Sequence, residues 1–390
     1  MANVLYFFPM NPHRVTAGNE QRARTLLTYF RDKGHTVDFV SSNDYWGGVI
    51  AEQDILSLKQ QRLIRHHFSL SKKPHILGIK DFLRFEIIRF IRKQLKPKRS
   101  GISNFTTDYS RSQFNKVIKT HSYDYIVISY AFWADLVKNN RNIGHSTMTI
   151  IDAHDFITAQ EQPKVDIKLG SAFSDEIERL RVFDEIWAVS ADEYYVFSQL
   201  CRKPVRLIPI CADADSDEIA SDKEFDLIFV GGDNPHNVKS IQWFFDEVYP
   251  KLPPSLRICI VGKINTVLPV YPNVVKIKQA VNLGAYYRKS RIAICPMLSG
   301  TGTKVKVIEA LAYGLPVVCS PRGVDGLLNK RDNGCLIAET AESFANLIQR
   351  LSADMDFYAS TQNQAISYHK KYHSLRHLYR VLDEVFDSSR

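Results

Sequence analysis

Residues 291–323, RIAICPMLSGTGTKVKVIEALAYGLPVVCSPRG, constrain the fold more than any other stretch of this chain. The apolar run Ile292 to Cys295 is short and β-rich enough for a buried strand. A loop of Ser299, Gly300, Thr301, Gly302 and Thr303 follows. From Lys304 onward, Val305, Ile308, Leu311 and Ala312 recur at helical spacing. Gly314 and Pro316 punctuate the helix end, and Val317 to Cys319 returns to strand. A strand, a glycine turn and a helix start together offer an anion free backbone N–H groups and the positive end of a helix dipole. Lys304 sits in the first turn, where the dipole alone disfavours a cation, so a phosphate is the expected occupant. Glu309, one turn deeper, is placed to accept hydrogen bonds from sugar hydroxyls. The competing reading is a surface loop with a solvated lysine, because isolated glycine-rich turns are weak signals.

Length and composition allow two domains of ordinary size. The apolar content of 45% and aromatic content of 11% are globular values. The start, MANVLYFFPMNPHR, has no basic region before its apolar residues and meets Pro9 early, unlike a signal peptide. No run approaches the roughly 18 apolar residues of a membrane-spanning helix. A cytoplasmic chain is expected, with attachment to the inner face of a membrane as an option. The six cysteines form no CxxC pair and lie mostly in strand-like runs, so buried thiols are expected rather than a zinc site or disulfides. The net charge of +9 is uneven. Residues 51–100 hold 13 Lys/Arg against 4 Asp/Glu, whereas residues 251–300 hold 8 basic and no acidic side chains.

Strand-like Asn3 to Phe8, a loop to Gly18, a helix from about Asn19 to Lys33 and a strand from Thr36 to Val40 form the opening of a doubly wound α/β domain. Residues 47–115 then interrupt the alternation and read as a basic insertion. Within it, 81–99 is a basic amphipathic helix candidate for an anionic membrane surface, or an ordinary domain helix. Strands resume at Tyr125 to Ser129 and Thr147 to Asp152, the latter ending in Asp152, His154 and Asp155. The acidic stretch 211–224 has linker composition, and Phe225 to Val230 opens a second α/β domain through Gly231 and Gly232.

The 291–323 segment resembles the donor-binding signature of GT-B glycosyltransferases, specifically the large retaining family usually numbered 4. The matching residues are Pro296, Gly300, Gly302, Lys304, Glu309, Ala310, Ala312, Gly314, Pro316, Val317 and Val318. Many members carry two Glu separated by seven residues; here the first position is Thr301, so which group receives the donor sugar's hydroxyls is open. GGDNPHNVKSIQWFFDEVYPKL resembles a second family segment. The resemblance implies two Rossmann-like doubly wound domains facing across a cleft: an acceptor domain at 1–215, a nucleotide-sugar donor domain at 216–368, and a helix at 369–390 crossing back to the first.

The resemblance implies His154, Lys304 and Glu309 at the catalytic centre, and Gly18, Gly232, Asn237, Val281, Gly300, Thr301, Gly302 and Thr303 at the donor. It implies transfer of a sugar from a nucleoside diphosphate sugar to an acceptor hydroxyl. The acceptor would be a saccharide or a lipid-linked sugar, as in surface polysaccharide or glycolipid assembly. Configuration would be retained, and no metal or other cofactor is expected. Two alternatives stay open: a catalytically degenerate GT-B nucleotide-binding scaffold, and a nucleic-acid-modifying glycosyltransferase, nucleic acid being the disfavoured partner.

Overall fold

The computed structural model describes residues 1–15, 17–45, 48–74, 101–161, 168–214 and 222–386. The chain divides into two compact units, Met1–Val189 with Glu193–Leu207, and Ser190–Asp192 with Ile208–Arg390. The expected boundary at 215/216 falls in 215–221, outside the described residues.

In the first unit, β1 (Asn3–Phe7), β2 (Thr36–Ser42), β3 (His66–Leu70), β4 (Tyr125–Ser129), β5 (Met148–Asp152), β6 (Glu185–Ala188) and β7 (Val205–Leu207) pair in parallel. Their order is β3-β2-β1-β4-β5-β6-β7. Central strands such as Tyr-Ile-Val-Ile-Ser are buried throughout, as near-continuous apolar runs require in a parallel sheet covered on both faces. The helix Gly18–Asp32 buries Ala23, Leu26, Leu27 and Phe30, the side its spacing predicts.

The sequence read 47–115 as an interruption, but the described residues of that stretch, 48–74 and 101–115, keep the alternation. Helix Glu52–Gln60 leads to β3, and helix Asp108–Thr120 precedes β4. Strand β3, His-His-Phe-Ser-Leu, lies at the sheet edge with only Leu70 buried, so it lacks the apolar run that marks a central strand. The basic helix expected at 81–99 lies outside the described residues.

The second unit repeats the plan with β8 (Phe225–Val230), β9 (Ile258–Val261), β10 (Val274–Ile277), β11 (Ser290–Cys295), β12 (Val317–Cys319) and β13 (Cys335–Ile337), in the order β10-β9-β8-β11-β12-β13. One face packs on Phe244, Phe344 and Ile348, the other on Val307, Ile308, Leu311 and Tyr368. The helix after the glycine loop is Val305–Ala312, and its buried residues are Val307, Ile308, Ala310 and Leu311. The expected stripe therefore shifts: Val305 and Ala312 are only half-buried, because the helix packs against β11 and β12 and against helix Met355–Tyr372. The tail expected as one helix breaks at His373 between Met355–Tyr372 and Leu375–Phe386. All six cysteines are buried free thiols. Among the described residues, no helix is long and apolar enough to cross a membrane.

Each strand order reverses direction once, between β1 and β4 and between β8 and β11. In open parallel sheets such reversals open a crevice at the carboxyl ends of the strands, where ligands bind.

Candidate functional site

At the reversal in the second unit, β8 runs into Gly231-Gly232 and the helix Pro235–Trp243, while β11 runs into the loop 296–304 and the helix Val305–Ala312. Asn234 caps the first helix, its Oδ1 accepting from Asn237 N–H at 3.0 Å. Asn237 in turn donates from Nδ2 to the Gly232 carbonyl, also at 3.0 Å. His236 Nδ1 lies 2.8 Å from Ser299 Oγ and ties this helix to the second loop. Gly300 and Gly302 take φ of 94° and 71°, left-handed values that glycine adopts without a Cβ clash. Left-handed residues interleaved with ordinary ones are the backbone pattern from which anion nests are built.

Lys304 is buried, and its Nζ donates to the carbonyls of Gly302 at 2.7 Å, Thr301 at 3.3 Å and Gly300 at 3.4 Å. It thus gathers the negative ends of the loop's peptide dipoles rather than reaching out of the loop. Burial lowers its pKa. Thr301 is exposed, and Thr303 Oγ1 is buried without a hydrogen-bond partner. Glu309 points back into the unit, where its Oε2 accepts from Tyr287 O–H at 3.0 Å. Burial raises its pKa against the opposing pull of Tyr287 and Lys306. Val281 lies in the turn before helix Leu283–Arg288 with its side chain fully exposed.

Sequence reading passed over Lys306. Its Nζ donates to Asn237 Oδ1 at 2.8 Å, lies 3.8 Å from Met297 Sδ and sits 4.3 Å from the centre of the Phe229 ring. Burial lowers its pKa to about 8. The available signal was a second lysine two residues after the first, in a helix whose other charged residue is Glu309. The structure thus brings Gly232, Asn237, Lys306, Lys304 and the loop 299–303 to one end of one sheet, with Glu309 one turn behind.

In the first unit, the reversal between β1 and β4 gathers a different set. Gly18 opens its helix, and the next residue, Asn19, donates to Tyr130 O–H at 2.8 Å. Tyr130 stacks on His154 with ring centres 4.3 Å apart, and Phe8 stacks at 5.7 Å. His154 holds φ of 61°, an uncommon conformation for a residue with a Cβ. Its Nε2 is 3.0 Å from Asp152 Oδ2. Asp152 is fully buried and takes a forked ion pair from Arg22 at 2.8 to 3.0 Å. Burial pushes its pKa up, but Arg22 and His154 outweigh that and hold the carboxyl well below its usual range. Arg22, in a helix position where solvent would be the default surrounding, is therefore buried and committed to Asp152.

Among the described residues, one further group of metal-type donors converges: Asp38, His66 and His121. It lies toward the amino ends of the first sheet, and both Asp38 oxygens are held by Arg65 while Tyr123 donates to Oδ2.

Comparison with known proteins adds three findings. Residues 224–354 match the family profile described as "Glycosyl transferases group 1". An uncharacterized 44.6 kDa protein in the cps region of Klebsiella pneumoniae is 20% identical over 91% of this chain and 92% of its own length. Among solved structures, Anabaena HepE in complex with UDP and glucose superposes with a TM-score of 0.66 at 13% identity, all of both chains being covered. Staphylococcus aureus TarM, in complex with fondaparinux, α-GlcNAc-glycerol and UDP, superposes with a TM-score of 0.63 at 12% identity, again over all of both chains. Residues 224–354 are thus similar to glycosyl transferases group 1, and the chain as a whole has the α/β fold seen in GT-B glycosyltransferases, with two Rossmann-like units.

Proposed function

We propose that the protein is a glycosyltransferase that moves a sugar from a nucleoside diphosphate sugar to an acceptor hydroxyl. The observation that carries this reading is the pair of loops at the β8/β11 reversal, where two helix starts and the Gly300–Thr303 nest meet. Departure of a nucleoside diphosphate leaves negative charge, and fixed dipoles aimed at that charge are the usual catalytic device. Lys304 contributes by occupying the loop's carbonyls, leaving the amides of 301–303 and the helix start for the leaving group. Glu309, whose Oε2 is engaged by Tyr287, offers its other oxygen to donor hydroxyls, with Thr301 in place of the first Glu of related enzymes. The backbone at Val281 meets the base, and Gly18 and His154 serve the transfer step from the first unit.

UDP in the Anabaena and Staphylococcus proteins supports a uridine donor, and the Klebsiella relative in a cps region supports a place in polysaccharide assembly. Retention of configuration and independence from metal belong to the same proposal, as do a saccharide or lipid-linked acceptor and a location on the inner face of a membrane.

The test is hydrolysis of a panel of UDP-, GDP-, ADP- and TDP-sugars without acceptor, followed by transfer to saccharide acceptors. One donor should be consumed, with and without EDTA. His154→Ala should lose turnover while keeping nucleotide binding, and Lys304→Ala should lose both. Nucleotide binding without turnover of any donor would leave a binding scaffold, for which the Thr301 departure already argues.

A further inference from the structure

Among the described residues, those other than glycine that hold a positive φ are Arg62, Tyr130, Asn139, His154, Arg202 and Asp332. Arg62, Asn139, Arg202 and Asp332 are exposed surface positions. Tyr130 and His154 are buried, at 2% and 8% exposure. A bulky side chain at positive φ is a genuine outlier, and such strain persists only where the surrounding structure imposes it. These two residues are also each other's neighbours. They follow the paired ends of β4 and β5, where Ser129 lies opposite Asp152, and their rings stack 4.3 Å apart at 18°.

Tyr130 takes φ of 69° and ψ of 132°, and its N–H donates to the Asp152 carbonyl at 2.9 Å. The strand pairing is thus carried one residue past Ser129 before the chain turns into the short helix Ala131–Leu136. The phenol is fixed at its far end, where its oxygen accepts from Asn19 Nδ2 at 2.8 Å, in the first turn of the helix Gly18–Asp32. Burial pushes the phenol's pKa above its usual range, so the hydroxyl stays neutral. Phe8 stacks on the same imidazole at 5.7 Å and 24°. With two rings stacked on it, the imidazole cannot turn about χ2 without displacing an aromatic side chain. Its Nε2 lies 3.0 Å from Asp152 Oδ2, which leaves Nδ1 as the edge available to a substrate. Filling a core asks for less. Phe132 stacks on Tyr130 at 6.2 Å from ordinary helical backbone, with neither strain nor an anchored hydroxyl.

We infer that Tyr130 is a positioning residue for His154: the strained turn after β4 lays its ring on the imidazole, Asn19 pins the phenol, and the stack holds His154 with Nε2 on Asp152 and Nδ1 presented to substrate. The strain in the two buried residues is retained because the plane of the imidazole depends on it. The inference rests on the sugar-transfer reading for what His154 does, and on the geometry alone for how His154 is held.

Full-length wild type, Tyr130→Leu and Tyr130→Phe are compared by donor turnover, calorimetric titration with UDP and urea unfolding. The ring-nitrogen NMR signals of His154, assigned with His154→Gln, are recorded without ligand. A misplacement of about 1 Å can cost about hundredfold in rate. Tyr130→Leu should therefore lose about ten- to hundredfold in kcat, with donor KM and UDP affinity within about twofold of wild type. Tyr130→Phe keeps the stack and should retain most of kcat. Wild type and Tyr130→Phe should each show one set of His154 ring signals, and Tyr130→Leu a broadened or multiple set. Unchanged kcat per folded Tyr130→Leu molecule, with only a lower urea midpoint, would mark a merely structural tyrosine and overturn the inference. Loss of UDP affinity in parallel with kcat would overturn it too, because the damage would extend beyond His154. Wild type that turns over no donor would sink the transferase reading, and the ring signals then decide the inference. Loss of the single set in Tyr130→Leu upholds the positioning role, and an unchanged single set overturns it.

Discussion

Arg22 and Asp152 are 130 positions apart in sequence, and neither predicts the other. On its own, Arg22 is a basic residue one turn into an amphipathic helix, where solvent is the default surrounding. In the fold its fork closes on a carboxylate with no exposure, and Asp152 then stands 3.0 Å from His154. Removing one member of a buried pair leaves the other uncompensated, at a cost of about 3–5 kcal/mol. Arg22→Met should lower the urea-unfolding free energy by that amount, and a loss below about 1 kcal/mol would mean that Asp152 is solvated. Glu176 offers a second test. It is buried, accepts from Ile157 N–H, Thr158 N–H and Thr158 Oγ–H, and burial raises its pKa to about 7. A carboxyl with a raised folded pKa contributes stability that is present below its unfolded pKa and lost as pH rises through the folded value. Between about pH 5 and 7.5 wild type should therefore lose stability relative to Glu176→Gln, by up to about 3 kcal/mol at 1.36 kcal/mol per pKa unit. Parallel pH profiles for the two proteins would show Glu176 ionised throughout.

The helices and strands that position the glycine loop 299–303 were legible because their signals are local. Val305 to Ala312 has a helical period, a glycine stop and a following proline, and the central strands are unbroken apolar runs. Strand β3 was not legible, since an edge strand with two histidines carries little apolar pattern. The buried stripe of the loop's helix was displaced because sequence assumes one packed side, while this helix meets both a sheet and a helix. Glycines separate two kinds of constraint. At Gly302 no atom lies within 4 Å of an added Cβ, so only its φ of 71° opposes substitution. At Gly334, with φ of 79°, an added Cβ would also strike the backbone and Cβ of Ala365 on the helix Met355–Tyr372. Gly302→Ala should cost about 1–2 kcal/mol of stability and weaken nucleotide binding by reshaping the loop. Gly334→Ala should cost about 2–5 kcal/mol, because strain and overpacking add. Equal losses in thermal melts would show that the helix yields freely to the new methyl group.

Both units use one rule, a parallel sheet whose strand order reverses once with the candidate site residues at the carboxyl ends. Sequence could locate that rule twice, through glycine turns after β8 and β11 and through the Asp152-Ala153-His154 strand end, because it requires particular residues at particular turns. It could not say which lysine faces which partner. Lys304 and Lys306 are two residues apart on a helix start, and only packing decides that one collects carbonyls while the other meets Asn237. The chemistry at the second reversal nevertheless makes a demand on the whole chain. Residues 251–300 carry eight basic and no acidic side chains, so a positive field surrounds the glycine loop. Binding to the folded state alone must raise its stability, by about 2.7 kcal/mol when ligand is at 100 times its dissociation constant. For a unit of 150–250 residues that is a rise of about 5–10 °C in the transition containing it. UDP at that concentration should produce the shift, uridine should not, and higher salt should reduce it by screening the exposed lysines. An equal shift with uridine would place the binding energy in the base rather than the diphosphate, and the two helix starts would then have to be assigned another anion.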